Sequence, residues 1–177
     1  MHCLGCRDPC SAASFNSRQS HDVARVFRTG SIYTPQIVID GRLEGIGSDF
    51  NAIRKAILAA ARTPKAEVLV SAQRSGDSLS IDLHVDEAAN VGRNAPADVT
   101  VAITEDHLVT EVRRGENRGR TLRHTAVVRS LMTVGELAPG DRTFSTSVSS
   151  VLAREWKPEN LRIVAFVQER HSRRIVG

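Results

Sequence analysis

From residue 65 onward, apolar and polar positions alternate with a period of two. The pattern is cleanest at Leu79–Asp86, where Leu79, Ile81, Leu83 and Val85 fall on one side. Ser80, Asp82, His84 and Asp86 fall on the other. Successive side chains of a strand point to opposite faces, so this period predicts a strand with one buried face. Val68–Ser71, Val99–Ile103, Leu108–Val112, Val127–Met132, Phe144–Val148 and Leu161–Val167 repeat it. Gly, Asn, Asp and Pro separate these runs, as in antiparallel β-structure.

The first 64 residues follow a different pattern. Asp8-Pro9 reads as a helix start, with Phe15, Val23, Val26 and Phe27 on one face and Gly30 as the stop. Pro35 then opens the apolar run Gln36–Ile39, because proline lacks a backbone donor and is tolerated at a strand's first residue. Asp40-Gly41 predicts a hairpin turn, with a return strand near Leu43–Ile46. Ser48 or Asp49 is placed to cap a second helix. Phe50, Ile53, Ile57 and Leu58 give that helix one core-facing stripe, and Thr63-Pro64 ends it. The change of period predicts two modules, residues 1–63 and 66–177.

At 177 residues and 41% hydrophobic, the chain has enough apolar content for a core. No run of about 18 apolar residues is present, so no membrane span is expected. The N-terminal MHCLGCRDPC lacks the apolar stretch of a signal peptide. The basic pI near 9.4 raises nucleic acid as a partner. Its distribution argues against that. Residues 1–64 hold 8 Lys/Arg against 5 Asp/Glu, and residues 65–177 hold 16 against 15. The excess is too diffuse for an electrostatic footprint, and no nucleic-acid partner is expected.

Three runs carry a family likeness: DPCSAASFNSRQ, GSIYTPQIVIDGRLEGIGSD and GENRGRTLRHTAVVRSL. They resemble the bacterial domain-of-unknown-function family 1223, over about residues 4–176. The resemblance implies a thioredoxin-like domain followed by a β-sandwich. The expected class is therefore α+β, with a partial thioredoxin-like α/β module and then an antiparallel sandwich. It further implies a cis Thr34–Pro35 bond and a substrate-binding groove shaped by Tyr33, Thr34 and Pro35. A periplasmic or secreted location is also implied. The strand and Cys-x-x-Cys-Pro helix start that the family carries are not found here. A fragment, a mis-assigned start or a degenerate paralogue is the expected explanation.

Cys3, Cys6 and Cys10 form a C-x2-C-x3-C cluster. Cys3 and Cys6 are the candidate catalytic pair, one thiolate attacking a disulfide and the other resolving it. With His2 the cluster would also supply four zinc ligands. Both readings lack the preceding strand that positions such a motif. Incidental thiols are the ordinary alternative, and no metal or other cofactor is expected.

Asp82, His84 and Asp86 share the polar face of one strand, which serves a metal or a merely solvated surface. RRGENRGRTLRH, residues 113–124, holds five arginines. Arg118, Arg120 and His124 are candidate ligand contacts for phosphate or carboxylate, and a long structural turn is the alternative. Trp156 is placed to close one end of the sandwich. No G-x-S-x-G turn, Walker motif or dinucleotide fingerprint is present.

Two functions remain. One is a binding module without redox catalysis, holding an extended peptide or small ligand beside Pro35. The other is a thiol–disulfide oxidoreductase of the cell envelope, with a thiol protein as partner.

Overall fold

The computed structural model describes residues 35–86, 88, 95–115 and 118–177. Ten strands and one α-helix lie among them, in four small antiparallel sheets. The strands are β1 (Gln36–Ile39), β2 (Leu43–Ile46), β3 (Glu67–Ser75), β4 (Ser78–Asp86) and β5 (Ala97–Glu105). They continue with β6 (Leu108–Glu111), β7 (Thr121–His124), β8 (Val127–Leu137), β9 (Phe144–Val151) and β10 (Leu161–Glu169). The helix α1 (Phe50–Ala60) follows β2, and a 3-10 turn, Pro158–Asn160, precedes β10.

The core lies between two three-stranded sheets, ordered β3-β4-β9 and β10-β5-β8. Leu79, Ile81, Leu83 and Val85 of β4 meet Val99, Val101 and Ile103 of β5 and Val167 of β10. All are essentially withdrawn from water. Burying such a side chain fully stabilises by about 1.5–3 kcal/mol, so this cluster dominates the fold. The alternation in β4 sorts its residues as the sequence implied. β5 departs from it, because Thr100, Ala102 and Thr104 on its second face are buried as well. As the middle strand of its sheet, β5 exchanges hydrogen bonds with both β10 and β8.

The expected fold class is corrected here. The described residues are mostly β, and they form no clear thioredoxin α/β module. β1 pairs antiparallel with β2 in a sheet of two strands, with no parallel neighbour among the described residues. A two-stranded hairpin with one helix cannot bury much apolar surface. The helix shows this directly. Ile53 packs on the hairpin, its Cδ1 lying 2.9 Å from where a Cβ on Gly45 would stand. Phe50, Ile57 and Leu58 were expected on the same core stripe and are 79%, 50% and 56% exposed. The helix start follows its cap: Asp49 Oδ1 accepts from the Ala52 N–H at 3.0 Å. The predicted helix over residues 8–30 lies outside the described residues.

The C-terminal tail joins the hairpin to the sheets. Ala66 N–H donates to Val176 O at 2.7 Å, and Val176 N–H donates to Val167 O at 2.9 Å. Ile175 N–H reaches Asp40 O at 2.9 Å, and Lys65 Nζ pairs with Asp40 Oδ2 at 2.8 Å.

Candidate functional site

The run that opens at Pro35 forms an edge. Gly47 N–H donates to Pro35 O at 2.8 Å, which fixes the start of the ladder. At the other end Arg42 N–H donates to Ile39 O at 3.0 Å, closing a turn in which Asp40 and Gly41 both have positive φ. Asp-Gly tolerates that conformation, so the sequence pair sets the turn. In an antiparallel pair, alternate residues turn their backbone groups toward the partner. Pro35, Ile37 and Ile39 therefore face β2, and Gln36, Val38 and Asp40 face away. The Asp40 carbonyl is taken by Ile175. Beyond that point no strand among the described residues pairs with the outer side of β1.

The side chains around this edge form a mixed strip. Gln36, Val38, Glu44 and Ile46 share one face of the hairpin. Gln36 Nε2 donates to Glu44 Oε2 at 2.6 Å, while Val38 and Ile46 are 45% and 56% exposed. Pro35 is at the mouth of this strip. Its predicted neighbours Tyr33 and Thr34 lie outside the described residues, as do Cys3, Cys6 and Cys10 and therefore the zinc and dithiol readings.

Arg118, Arg120 and His124 are not drawn into one cluster. Arg118 and Arg120 sit at the turn end of the β6–β7 hairpin, both exposed. The turn is held by Gly119 N–H donating to Val112 O at 2.8 Å and Val112 N–H donating to Arg120 O at 2.9 Å. His124 lies at the far end of β7, about 13 Å from Arg120 at the usual strand rise. Its Nε2 hydrogen-bonds Thr110 Oγ1 across the pair at 3.1 Å. The alternative of one long turn over residues 113–124 is corrected as well, because Thr121–His124 is a strand.

The polar face of β4 lies open. Asp82 accepts from Ser147 Oγ at 2.5 Å, and His84 Nδ1 meets Ser145 Oγ at 2.7 Å. These are cross-strand partners in register. Small hydroxyls from β9 thus occupy both groups. No set of three or more His, Cys, Asp or Glu able to hold a metal occurs among the described residues.

Two buried carboxylates escaped the sequence reading. Glu105, fully buried, ends the apolar run of β5. Its Oε2 lies 3.2 Å from Arg129 Nε, and its Oε1 accepts from Lys157 N–H at 3.0 Å. The Arg129 guanidinium stands over the Trp156 ring, 5.6 Å from its centroid. Trp156 thus covers an ion pair, beyond closing an apolar end. Next to it, Asp106 accepts from Arg162 Nε and from Ala126 N–H. The Arg162 hydrogen bond, with help from Ala126, holds the Asp106 carboxyl below its ordinary value. Two consecutive acids, Glu105 closing the strand and Asp106 just after it, were the available signal. Arg129 sits in one of the runs that carried the family likeness.

The described residues define a mostly β protein with a hairpin whose outer edge no described strand pairs. The chain belongs to the family described as Protein of unknown function (DUF1223), whose model matches residues 2–168. No curated protein matches it. Among solved structures it is similar to a protein of Agrobacterium tumefaciens, at 23% identity and a TM-score of 0.68. That likeness covers 99% of this chain and 73% of the other. It is also similar to HBP35 of Porphyromonas gingivalis, at 14% identity and a TM-score of 0.67. There it covers 93% of this chain and 56% of the other. At these identities the likeness is one of fold. No helix among the described residues is long and apolar enough to cross a membrane.

Proposed function

We propose that this chain is a binding module that takes an extended peptide along the outer edge of β1, beside Pro35. The observation that carries this is the outward-facing backbone of Gln36 and Val38, which no described strand pairs. An incoming strand would find up to four backbone hydrogen bonds there, each worth about 0.5–1.5 kcal/mol net. Micromolar affinity needs about 8 kcal/mol, so backbone pairing alone falls short. The exposed Val38 and Ile46 side chains supply apolar contact and a preference for alternating sequences. The reading is one of binding rather than thiol–disulfide exchange.

The test is selection of a displayed random-peptide library on the purified chain, followed by titration of a synthetic selected peptide. Val38→Pro removes an outward N–H at an edge position where proline is tolerated. Val38→Lys places a charge there, a common guard against edge pairing. Selected peptides should alternate apolar and polar residues, and both variants should weaken binding by about tenfold or more, near 1.4 kcal/mol. No enrichment, or equal binding by both variants, overturns the reading.

A further inference from the structure

A second feature lies at the turn end of the hairpin. Ile39, Arg42, Ala60, Thr63 and Arg174 line a cleft of about 200 Å³ between the hairpin, the end of α1 and the C-terminal tail. A water occupies roughly 30 Å³ of liquid, so the cleft admits a group of several heavy atoms. Arg42 of the hairpin turn and Arg174 of the tail both line it. Asp40 also lines it, but Asp40 is bound to Lys65 at 2.8 Å. That neutral pair leaves Arg42 and Arg174 as the lining cations with no carboxylate partner among the described residues.

Neither arginine is spent elsewhere among the described residues. The ion pairs there engage Lys65, Arg129, Arg162 and Arg170, and neither Arg42 nor Arg174 takes part. Arg174 Nε is buried and has no hydrogen-bond partner. Withdrawing such a donor from water without a partner costs about 1–3 kcal/mol, more for a charged group. The carbonyls at the end of α1 do not satisfy it. Ile57 O accepts from Ala61 N–H, Ala59 O from Arg62 N–H, and Ala60 O from Thr63 N–H and Lys65 Nζ. A forked guanidinium matches the paired oxygens of a carboxylate or phosphate. Thr63 also lines the cleft, at the end of α1.

We propose that this cleft is an oxyanion-binding site, taking a carboxylate or phosphate group between Arg42 and Arg174. The site goes beyond the peptide edge and stands without it, since it uses neither Gln36 nor Val38.

The test is titration of the chain with sodium phosphate and, separately, sodium acetate, followed by backbone amide NMR at ionic strength matched with chloride. Amide shifts at Arg42, Thr63 and Arg174 should saturate with at least one of the two anions. Saturation by phosphate alone assigns a phosphate group, and by acetate alone a carboxylate. Arg42→Gln, at an exposed turn position, should keep the fold and weaken binding by about tenfold. Arg42→Gln with Arg174→Gln should abolish it, and Val38→Lys should leave it unchanged. Shifts that track ionic strength only, or undiminished binding by the double variant, overturn the site. An adventitious ion only, bound without dependence on either arginine, is that second outcome.

Discussion

Gly41 lies directly against the backbone of Arg173: a Cβ on Gly41 would stand 1.9 Å from the Arg173 carbonyl oxygen. Gly41 also has a φ of +65°, in the left-handed region. Both facts demand the absence of a side chain. The turn that ends β1 is thereby seated on the tail that follows β10. Gly41→Ala should destabilise the chain by about 2–4 kcal/mol, combining left-handed strain with a backbone clash. Urea unfolding checks the cost. Amide exchange at Ile175 should accelerate most, because its bond to Asp40 O depends on that seating.

The Glu105–Arg129 pair predicts an asymmetry. Arg129→Met leaves a fully buried carboxylate without its cation, held only by the Lys157 N–H. That should cost about 3–5 kcal/mol. Replacing both partners, as Glu105→Gln with Arg129→Met, should recover most of the loss, since no buried charge remains. A denaturant double-mutant cycle measures the coupling, and additive costs would refute it.

Asp106 sets a pH dependence. Its carboxyl is held below its ordinary value of 3.8 by Arg162 and Ala126 N–H. The folded state therefore gives up this proton at lower pH than the unfolded chain does. The stabilisation is present in full above the unfolded value and fades as pH falls below about 4 toward the folded one. Asp106→Asn should lower stability at neutral pH and flatten the slope in that acid window. Unfolding midpoints at several pH values decide it.

Gly135 in β8 gives a cross-sheet test. A Cβ there would lie 2.1 Å from Phe144 Cζ in β9. Gly135→Ala must displace the ring, at about 1–3 kcal/mol. Adding Phe144→Leu should restore part of that loss, because the smaller side chain frees the space. If the second change only adds to the damage, the ring is not the obstacle.

The strands were legible because their cause is local. The alternation in Ser78–Asp86 is a property of consecutive residues, and the core face of β4 followed from it. The same holds for the Pro35 start, the Asp40-Gly41 turn and the Asp49 cap. The helix stripe was misread because amphipathic spacing reports which residues share a face and cannot report how much partner that face will find. Ile53 found the hairpin, whereas Phe50 at 79% exposure found no comparable cover. β7 was missed because four residues inside an arginine-rich stretch show strand character only once β6 pairs with them.

The sequence by itself determined the alternating strands such as β4 with its apolar face, the Asp40-Gly41 turn and the Asp49 cap, since these depend on neighbours a few residues apart. Tertiary structure alone decided that β5 is buried on both faces, that Glu105 meets Arg129, and that Arg129 stands over Trp156. It also decided that Arg42 and Arg174 line one cleft. Arg42 and Arg174 stand far apart in the chain, and no local pattern encodes their approach. The tail reaches the hairpin turn through Ile175 N–H on Asp40 O and the close approach of Arg173 to Gly41, contacts between residues far apart in the chain.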